Sequence, residues 1–295
     1  MNKFENSLPN TSLPIDTPSF SFNKTPEIPA SNADENLEND TPKGYDKYSD
    51  RYVAFVDILG FKELIRKNKN PELVSSLVSA LDISPECTPA VLAEVGASEE
   101  DADLRTHTFS DFVVASSPAT AAGLGALIFT LWKISTIWAS NKLFCRGGIA
   151  RGDVLHRHRS EEGPPMVFGP AFIDAYVLES TVADYPRIVL SKSVREDWLR
   201  YVNAGNLGLE IPKLVKQCDD GPRCVDIFSH LKRDGFGLVT DSSPKETKQI
   251  HDALKSAFDE TSDEPKHFRK IFWLVKHFNS AIAKTQYGGL HIDIG

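Results

Sequence analysis

Two aspartates stand where a carboxylate requires an explanation. Asp57 interrupts the apolar run of residues 52–58, directly before a turn, and Asp111 lies between Phe109 and Phe112, where two strand-like segments meet. A lone carboxylate in an apolar setting is unfavourable unless it is paired or holds a metal. If the two strands are neighbours, both carboxylates can face one point and bind divalent cations. The pair therefore predicts a metal site suited to phosphoryl transfer.

The turn after the first aspartate predicts a phosphate site. It reads Ile58-Leu59-Gly60-Phe61, and a helix is expected from Lys62 onwards. Backbone N–H groups at a helix start favour anions. Simpler interpretations exist for each residue: either aspartate could be a helix cap or a turn residue, Phe61 a core aromatic and Lys62 a solvated helix residue. Only the combination favours chemistry.

Strands alternate with helices around both aspartates, with one hairpin in the middle. Strands are predicted at residues 52–58, 104–109, 112–115, 143–150, 166–168, 187–191, 225–228 and 236–239. Helices are predicted from residues 62, 71 and 118, and at 169–180, 194–202, 244–259 and 264–285. This order predicts an α+β fold with a ferredoxin-like, mostly antiparallel sheet and helices on one face.

The longest apolar stretch, residues 121–139, predicts a core helix. Leu127, Leu131, Ile134 and Trp138 repeat at helical spacing and form one apolar stripe. Lys133 interrupts the stretch, and a membrane span needs roughly 20 mostly apolar residues. We therefore expect no membrane association.

Composition and charge narrow the class of partner. Of the 295 residues, 41% are hydrophobic, which allows one substantial core. The net charge of −8, without a basic run, argues against nucleic acid as a main partner. No secretory leader is recognisable, and the four cysteines have no zinc-site spacing. These features predict a cytoplasmic protein with reduced thiols.

The chain is expected to divide near residue 50. Residues 1–49 are rich in Pro, Ser, Asn and Thr and poor in aliphatic residues, which predicts a disordered N-terminal arm. Residues 50–295 are expected to form one catalytic domain, with a helical extension at the C-terminus.

Four segments resemble class III adenylate and guanylate cyclases. Residues 55–61 (FVDILGF) resemble the first metal signature of that family, and residues 109–111 (FSD) lie where its second metal aspartate is found. Residues 144–152 (FCRGGIARG) are similar to its Arg-x-Gly-Ile-x-x-Gly strand, and residues 169–180 (GPAFIDAYVLES) to its Gly-x-x-Val-Asn-x-Ala-x-Arg helix. The resemblance covers residues 50–192 and implies a class III cyclase catalytic domain.

The resemblance implies a role for each site residue. Asp57 and Asp111 would bind two manganese or magnesium ions per active site, and the carbonyl of Ile58 would complete one metal site. The remaining implied residues would lie under the triphosphate or near the base: Gly60, Phe61, Lys62, Arg105, His107 and Met166. The family places the helix that carries Tyr176 and Glu179 at a dimer interface.

The departures from the family pattern concern the helix and the base pocket. With Gly169 aligned, the asparagine and arginine of the family fall on Ile173 and Val177. Another cation must then stabilise the charge that develops on the α-phosphate. Arg146 and Arg151, on the strand expected beside the site, are the catalytic candidates.

The variant motifs resemble the bacterial pyrimidine cyclases of Pycsar antiphage systems. These motifs are DILGF, RGGIA and GPAxxxAYxLE. The resemblance implies a homodimer that prefers manganese, with active sites at the interface, and that converts UTP into cyclic UMP for a separate effector protein. A cytidylate cyclase, a divergent adenylate cyclase and a nucleotide-binding module without catalysis remain alternatives, the last favoured by the lost asparagine and arginine.

Overall fold

The structure is a computed structural model that describes residues 47–67, 71–81, 92, 96–157, 164–232 and 244–295. These residues all belong to one unit, Asp46–Gly295. The predicted N-terminal arm lies outside the described residues except for its last three positions. The strand predicted at 236–239 lies outside them altogether.

The described part of the chain forms a mostly antiparallel sheet of eight strands. They are β1 (Ser49–Ile58), β2 (Arg105–Thr108), β3 (Phe112–Pro118), β4 (Cys145–Arg157), β5 (Met166–Phe168), β6 (Ile188–Leu190), β7 (Val215–Gln217) and β8 (Arg223–Val225). The order is β2-β3-β1-β4-β6-β8-β7, and β5 pairs with β4. Among these described strands, only β4 and β6 pair in parallel. Because β1 lies antiparallel between β3 and β4, the first four strands have the ferredoxin-like order, and that prediction is confirmed.

Eight α-helices are described around this sheet. They are α1 (Phe61–Lys67), α2 (Pro71–Leu81), α3 (Glu99–Ala102), α4 (Ala121–Ser140), α5 (Pro170–Val182), α6 (Lys192–Asn203), α7 (Pro244–Glu260) and α8 (Pro265–Ile282). The hydroxyl of Thr120 caps α4 by accepting the N–H of Gly123 at 3.0 Å. Of the described helices, α4 alone is long and apolar enough to cross a membrane, but 78% of its most apolar window is buried inside the protein. It is the predicted core helix.

Helices cover both faces of the sheet, so the prediction of one covered face is wrong. Along β1, Tyr52, Ala54, Val56 and Ile58 face the larger core, which contains α4. The alternate residues Val53 and Phe55 face the opposite side, where Ala171, Phe172 and Ala175 of α5 pack on them. The cause is in the sequence: β1 is apolar on both faces, and each face therefore requires a cover.

Helix α5 lies unusually close to β4 because a glycine faces it. A Cβ on Gly148 would stand 2.5 Å from the carbonyl oxygen of Ala175 and 3.0 Å from the nitrogen of Glu179. Any other residue at position 148 would push α5 outward. The second glycine of the Arg-Gly-Gly motif thus fixes the distance between α5 and the strand.

The C-terminal part differs from the prediction in its strands. The predicted strand 225–228 is observed as Arg223–Val225, and residues after it turn, with the Ser229 N–H donating to the Asp226 carbonyl at 3.0 Å. β7 was missed because three residues with one aliphatic side chain carry little periodicity. Helices α7 and α8 were predicted within three residues at each end. They form a second core with Phe144, and Leu59 packs against it.

Candidate active site

The first aspartate lies at the end of the central strand. Asp57 pairs in register with Phe112 on β3 and with Arg146 on β4. Asp111 immediately precedes β3, and its carbonyl accepts the N–H of Ile58 at 2.8 Å. This bond fastens the β2–β3 hairpin to the end of β1. The fold therefore makes the two predicted aspartates direct neighbours, although they are far apart in sequence.

The carboxylate of Asp57 is held in an unfavourable state. Its side chain is 27% exposed, and burial raises its pKa. Arg146 opposes this shift, and the negative charge of Asp111 adds to it. Lys62 and Lys270 also act to lower the pKa, but the net direction is upward. The raised pKa indicates a carboxylate whose surroundings supply too little positive charge.

An ion pair between Arg146 and Glu179 connects β4 to α5. Nε of Arg146 lies 2.5 Å from Oε1 of Glu179 and 3.8 Å from Oδ2 of Asp57. The Glu179 side chain is only 3% exposed, and burial raises its pKa, with Asp57 adding to the rise and Arg146 opposing it. Arg146 is thus the shared cation of two carboxylates.

The donor set fits a hard divalent cation. Two carboxylates at one point favour a cation, and Mg²⁺ and Mn²⁺ prefer oxygen ligands. Within the described ranges, no group of three or more His, Cys, Asp or Glu side chains could hold a metal alone. Mg²⁺ in phosphoryl-transfer sites is commonly bound by one or two carboxylates together with substrate phosphates and water. The Asp57 and Asp111 pair matches that pattern.

The three residues predicted to lie under the triphosphate, in the turn after β1, have three different environments. Gly60 has φ +72°, in the region that favours glycine, and its carbonyl accepts the N–H of Leu64 at 3.0 Å as α1 begins. Lys62 is exposed and stabilises the Asp57 carboxylate electrostatically. Phe61 packs against the larger core, as the simpler interpretation of this residue expected.

Two of the three predicted base-pocket residues, Arg105 and His107, contact the same residue, His156. Nδ1 of His107 is 2.8 Å from Nε2 of His156, a buried histidine on β4. Arg105 donates to Asp103 at 2.9 Å and to the carbonyl of His156. Met166 is 38% exposed on β5, at the outer end of β4. A role in base binding stays a prediction for all three.

Arg151 lies away from the aspartates, contrary to the prediction. It pairs in register with Tyr52, five positions along β4 from Arg146, which is roughly 16 Å at strand spacing. Its guanidinium bonds Asp50 and Asp197, each at 2.7 Å. The strand prediction was correct, but β4 is long, and only its first part borders the site.

Two residues of the site were not assigned to it from the sequence. Glu179 was identified only as part of the helix motif. Lys270 lies on α8, beyond the region of resemblance, and it acts electrostatically on Asp57 and Glu179. Burial and the nearby charge of Arg146 lower the pKa of Lys270. No local signal distinguishes this lysine from Lys266 and Lys276 on the same helix.

The helix residues that depart from the cyclase pattern face outward. Ile173, Tyr176 and Val177 are 58%, 50% and 47% exposed on α5. The positions that carry asparagine and arginine in the family thus present apolar side chains to solvent within this chain. Deeper on the same face, the rings of Phe55 and Phe112 stack at 4.8 Å.

No protein-family model and no curated protein matches the chain. Among solved structures, it is similar to a dimeric guanylyl cyclase domain of the RhoGC fusion protein from the aquatic fungus Blastocladiella emersonii, with 15% identity and a TM-score of 0.42 over 60% of this chain and 93% of that one. It is similar to the adenylyl cyclase CyaB from P. aeruginosa, with 15% identity and a TM-score of 0.37 over 66% and 98%. It is also similar to the catalytic core of a rhodopsin-guanylyl cyclase with converted specificity in complex with ATPαS. The identity is 16% and the TM-score 0.39, over 51% of this chain and 82% of that one. TM-scores below 0.5 do not establish a shared activity.

Proposed function

We propose that this chain is a class III nucleotidyl cyclase that converts a pyrimidine nucleoside triphosphate, with UTP favoured, into its 3′,5′-cyclic monophosphate and diphosphate. The observation that carries the proposal is the neighbouring position of Asp57 and Asp111, fastened by the Ile58 to Asp111 backbone bond, with Arg146 directly across from Asp57. The resemblance of the sequence motifs supports the reaction, and this geometry supports the position of the active site.

The reaction assigns a task to each group at this end of the sheet. The O3′ atom of the ribose forms a bond to the α-phosphorus, the bond from that phosphorus to the bridging oxygen breaks, and diphosphate leaves. Asp57, whose pKa is raised by burial, is the candidate acceptor of the 3′-hydroxyl proton. Arg146 is placed to stabilise negative charge on the phosphates.

Asp57 and Asp111 would hold the divalent metal, with the Ile58 carbonyl as the proposed backbone ligand. When bound, manganese or magnesium supplies charge stabilisation for both the attacking and the leaving oxygen. Lys62 and Lys270, which both act on the Asp57 carboxylate, would contribute positive charge toward the triphosphate.

The finer parts of the proposal rest on the motif resemblance. They are the preference for UTP, the preference for manganese, a cytoplasmic homodimer with active sites at its interface, and a product that acts on a separate effector in antiphage defence. Base reading by Arg105, His107 and Met166 belongs to the same group. The exposed apolar side chains of Ile173, Tyr176 and Val177 support a homodimer, because they would be covered there.

A second candidate is a nucleotide-binding module without catalysis. Ile173 and Val177 occupy the positions where the family carries asparagine and arginine, and both are exposed apolar residues. An enzyme that lost those two groups could keep binding nucleotides while losing turnover. Retention of both aspartates favours the enzyme.

The deciding experiment incubates the purified chain with manganese and each of ATP, GTP, CTP and UTP, and identifies products by mass spectrometry. We expect cyclic UMP, or cyclic CMP if the pocket prefers cytosine, and no product from the Asp57→Ala variant. Cyclic AMP or cyclic GMP would keep the cyclase and reject the pyrimidine preference. No product from any nucleotide, together with measurable nucleotide binding, would replace the enzyme with the binding module.

A further inference from the structure

The fold has almost fully removed the carboxyl group of Glu179 from water. Its side chain is 3% exposed, and Arg146 is the cation in direct contact with it, at 2.5 Å. Taking a carboxylate out of water is unfavourable by several kcal/mol unless a well-placed cation compensates. Such a group, beside a proposed metal site and outside the metal ligands, requires a reason of its own.

Arg146 lies between two carboxylates and is closer to one. Its Nε is 2.5 Å from Glu179 but 3.8 Å from Asp57. A guanidinium that lost the nearer carboxylate would move toward the farther one, because Asp57 is itself short of positive charge. In close contact with Asp57, the guanidinium would neutralise the oxygen donors that a divalent cation needs.

The close packing of α5 on β4 fixes the position of Glu179 beside Arg146. Gly148, two residues after Arg146, lets α5 approach so closely that a Cβ there would stand 3.0 Å from the nitrogen of Glu179. The glutamate is therefore delivered to the start of β4 by close packing of the helix. Its position does not depend on a flexible loop.

We propose that Glu179 is a positioning residue that holds Arg146 away from Asp57 and so keeps the Asp57 carboxylate available to the divalent metal. The inference rests on the proposed function, because it presupposes a metal at Asp57. It assigns Glu179 to metal affinity, through Arg146, and gives it no contact with the substrate.

The test measures binding of manganese alone to the full-length chain by electron paramagnetic resonance. Glu179→Gln keeps the size of the side chain but removes its charge. We expect it to weaken manganese binding about tenfold, the lower end of the usual effect of groups that support metal ligands. Asp197→Asn is the matched control, because Asp197 is a buried carboxylate paired with Arg151 on the same strand. It should leave manganese affinity unchanged.

A rescue distinguishes positioning from general damage. Adding Arg146→Gln to Glu179→Gln removes the competing cation, and we expect manganese affinity to return to within about twofold of wild type. If Glu179→Gln does not fold, as judged by circular dichroism, Glu179→Asp keeps the charge but retracts it by one methylene. It should shift manganese affinity in the same direction by a smaller factor.

The outcomes separate this inference from the function beneath it. Unchanged manganese affinity in Glu179→Gln, or in Glu179→Asp where only that variant folds, overturns the inference while the cyclase assignment survives. A weakened affinity that Arg146→Gln does not restore also overturns it. A wild-type chain that binds no manganese, with or without nucleotide, overturns both.

Discussion

Two polar regions lie on the same face of the sheet and differ in how their charges are matched. The carboxylate end consists of Asp57, Asp111, Arg146 and Glu179. The histidine end consists of Arg51, Asp103, Arg105, His107, Ser116 and His156. Each lies beside apolar residues of β1 and β3, and each holds an arginine near a carboxylate.

At the histidine end, the charges are closely bonded. Arg51 is 5% exposed, and it donates to Asp103 at 2.6 Å and to the hydroxyl of Ser116 at 3.0 Å. Burial acts to raise the pKa of Asp103, but hydrogen bonds from Arg105 and Arg51 outweigh it, and the pKa is lowered. The ionised form of the Asp103 carboxylate is therefore favoured in the folded protein.

At the carboxylate end, the balance has the opposite sign. Burial raises the pKa of both Asp57 and Glu179, and the arginine they share does not compensate. Perturbed pKa values occur more often at functional sites than elsewhere. The histidine end is stabilised as it stands, and the incomplete pairing at the carboxylate end supports the proposal that a cation binds there.

Removing the Asp57 carboxylate from the carboxylate end should have the largest effect on turnover. Asp57→Asn keeps the shape of the side chain but loses a metal ligand and a proton acceptor. We expect cyclase turnover to fall at least about a thousand-fold, because several kcal/mol of charge stabilisation are lost. Thermal unfolding without metal should be unchanged or shifted upward, since a buried like charge is removed. Turnover within tenfold of wild type would refute the role of Asp57.

Removing an arginine from the histidine end should lower stability and leave metal binding unchanged. Arg51→Ala removes one hydrogen bond from each of Asp103 and Ser116 at a nearly buried position. We expect the free energy of unfolding in urea to fall by about 3 kcal/mol. Manganese affinity of the folded variant should match wild type. A large loss of manganese affinity with unchanged stability would reverse the roles of the two ends.

The lysine from the C-terminal helix should matter less. Lys270→Ala removes a positive charge that acts on Asp57, and we expect the KM for the nucleotide to rise about fivefold at low salt, with a smaller effect at high salt. Lys266→Ala, one turn earlier and exposed, is the matched control. Equal effects of the two variants would mean that net charge alone is responsible.

The histidine end also predicts the pH dependence of stability. Burial, with the nearby charges of His107, Arg51 and Arg105, lowers the pKa of His156 to about 3, against attraction from Asp103. Between that value and the ordinary histidine pKa, the unfolded chain binds a proton that the folded chain does not. Stability is therefore fully present above about pH 6.5 and falls as the pH decreases.

Replacing that histidine should flatten the dependence. In His156→Gln, we expect the loss of unfolding free energy between pH 7.5 and pH 5.5 to be about 1 kcal/mol smaller than in wild type. The control is His291→Gln, a substitution at an exposed histidine. A slope identical in wild type and His156→Gln would contradict the lowered pKa of His156 in the folded protein.

The sequence predicted the sheet and the neighbouring position of the two aspartates because both depend on local pattern. Apolar runs gave β1, β3 and β4, and an aspartate inside such a run is visible without a structure. The same reasoning could not place Arg151, since a strand pattern gives no distance along the strand to a neighbouring site. It also could not find Lys270, whose proximity to Asp57 depends on how α8 packs on Phe144 and its neighbours.

The cover on the second face shows a different limit. Helix α5 was predicted, but its apolar positions do not form a clear stripe, and no pattern indicated which face of the sheet it would take. Gly148 was present in the motif, yet its meaning is a contact with the Glu179 backbone, which only the packed structure shows. Glu179 itself therefore became a site residue only in three dimensions.

The most direct test of the central claim is a count of manganese ions bound in the presence of 3′-deoxy-UTP, which cannot cyclise. Electron paramagnetic resonance titration should give two ions per site for the wild-type chain, and fewer than two for Asp111→Asn at the same free manganese concentration. Two ions in Asp111→Asn, bound as tightly as in wild type, would contradict the claim that Asp57 and Asp111 together form a metal site for nucleotide cyclisation.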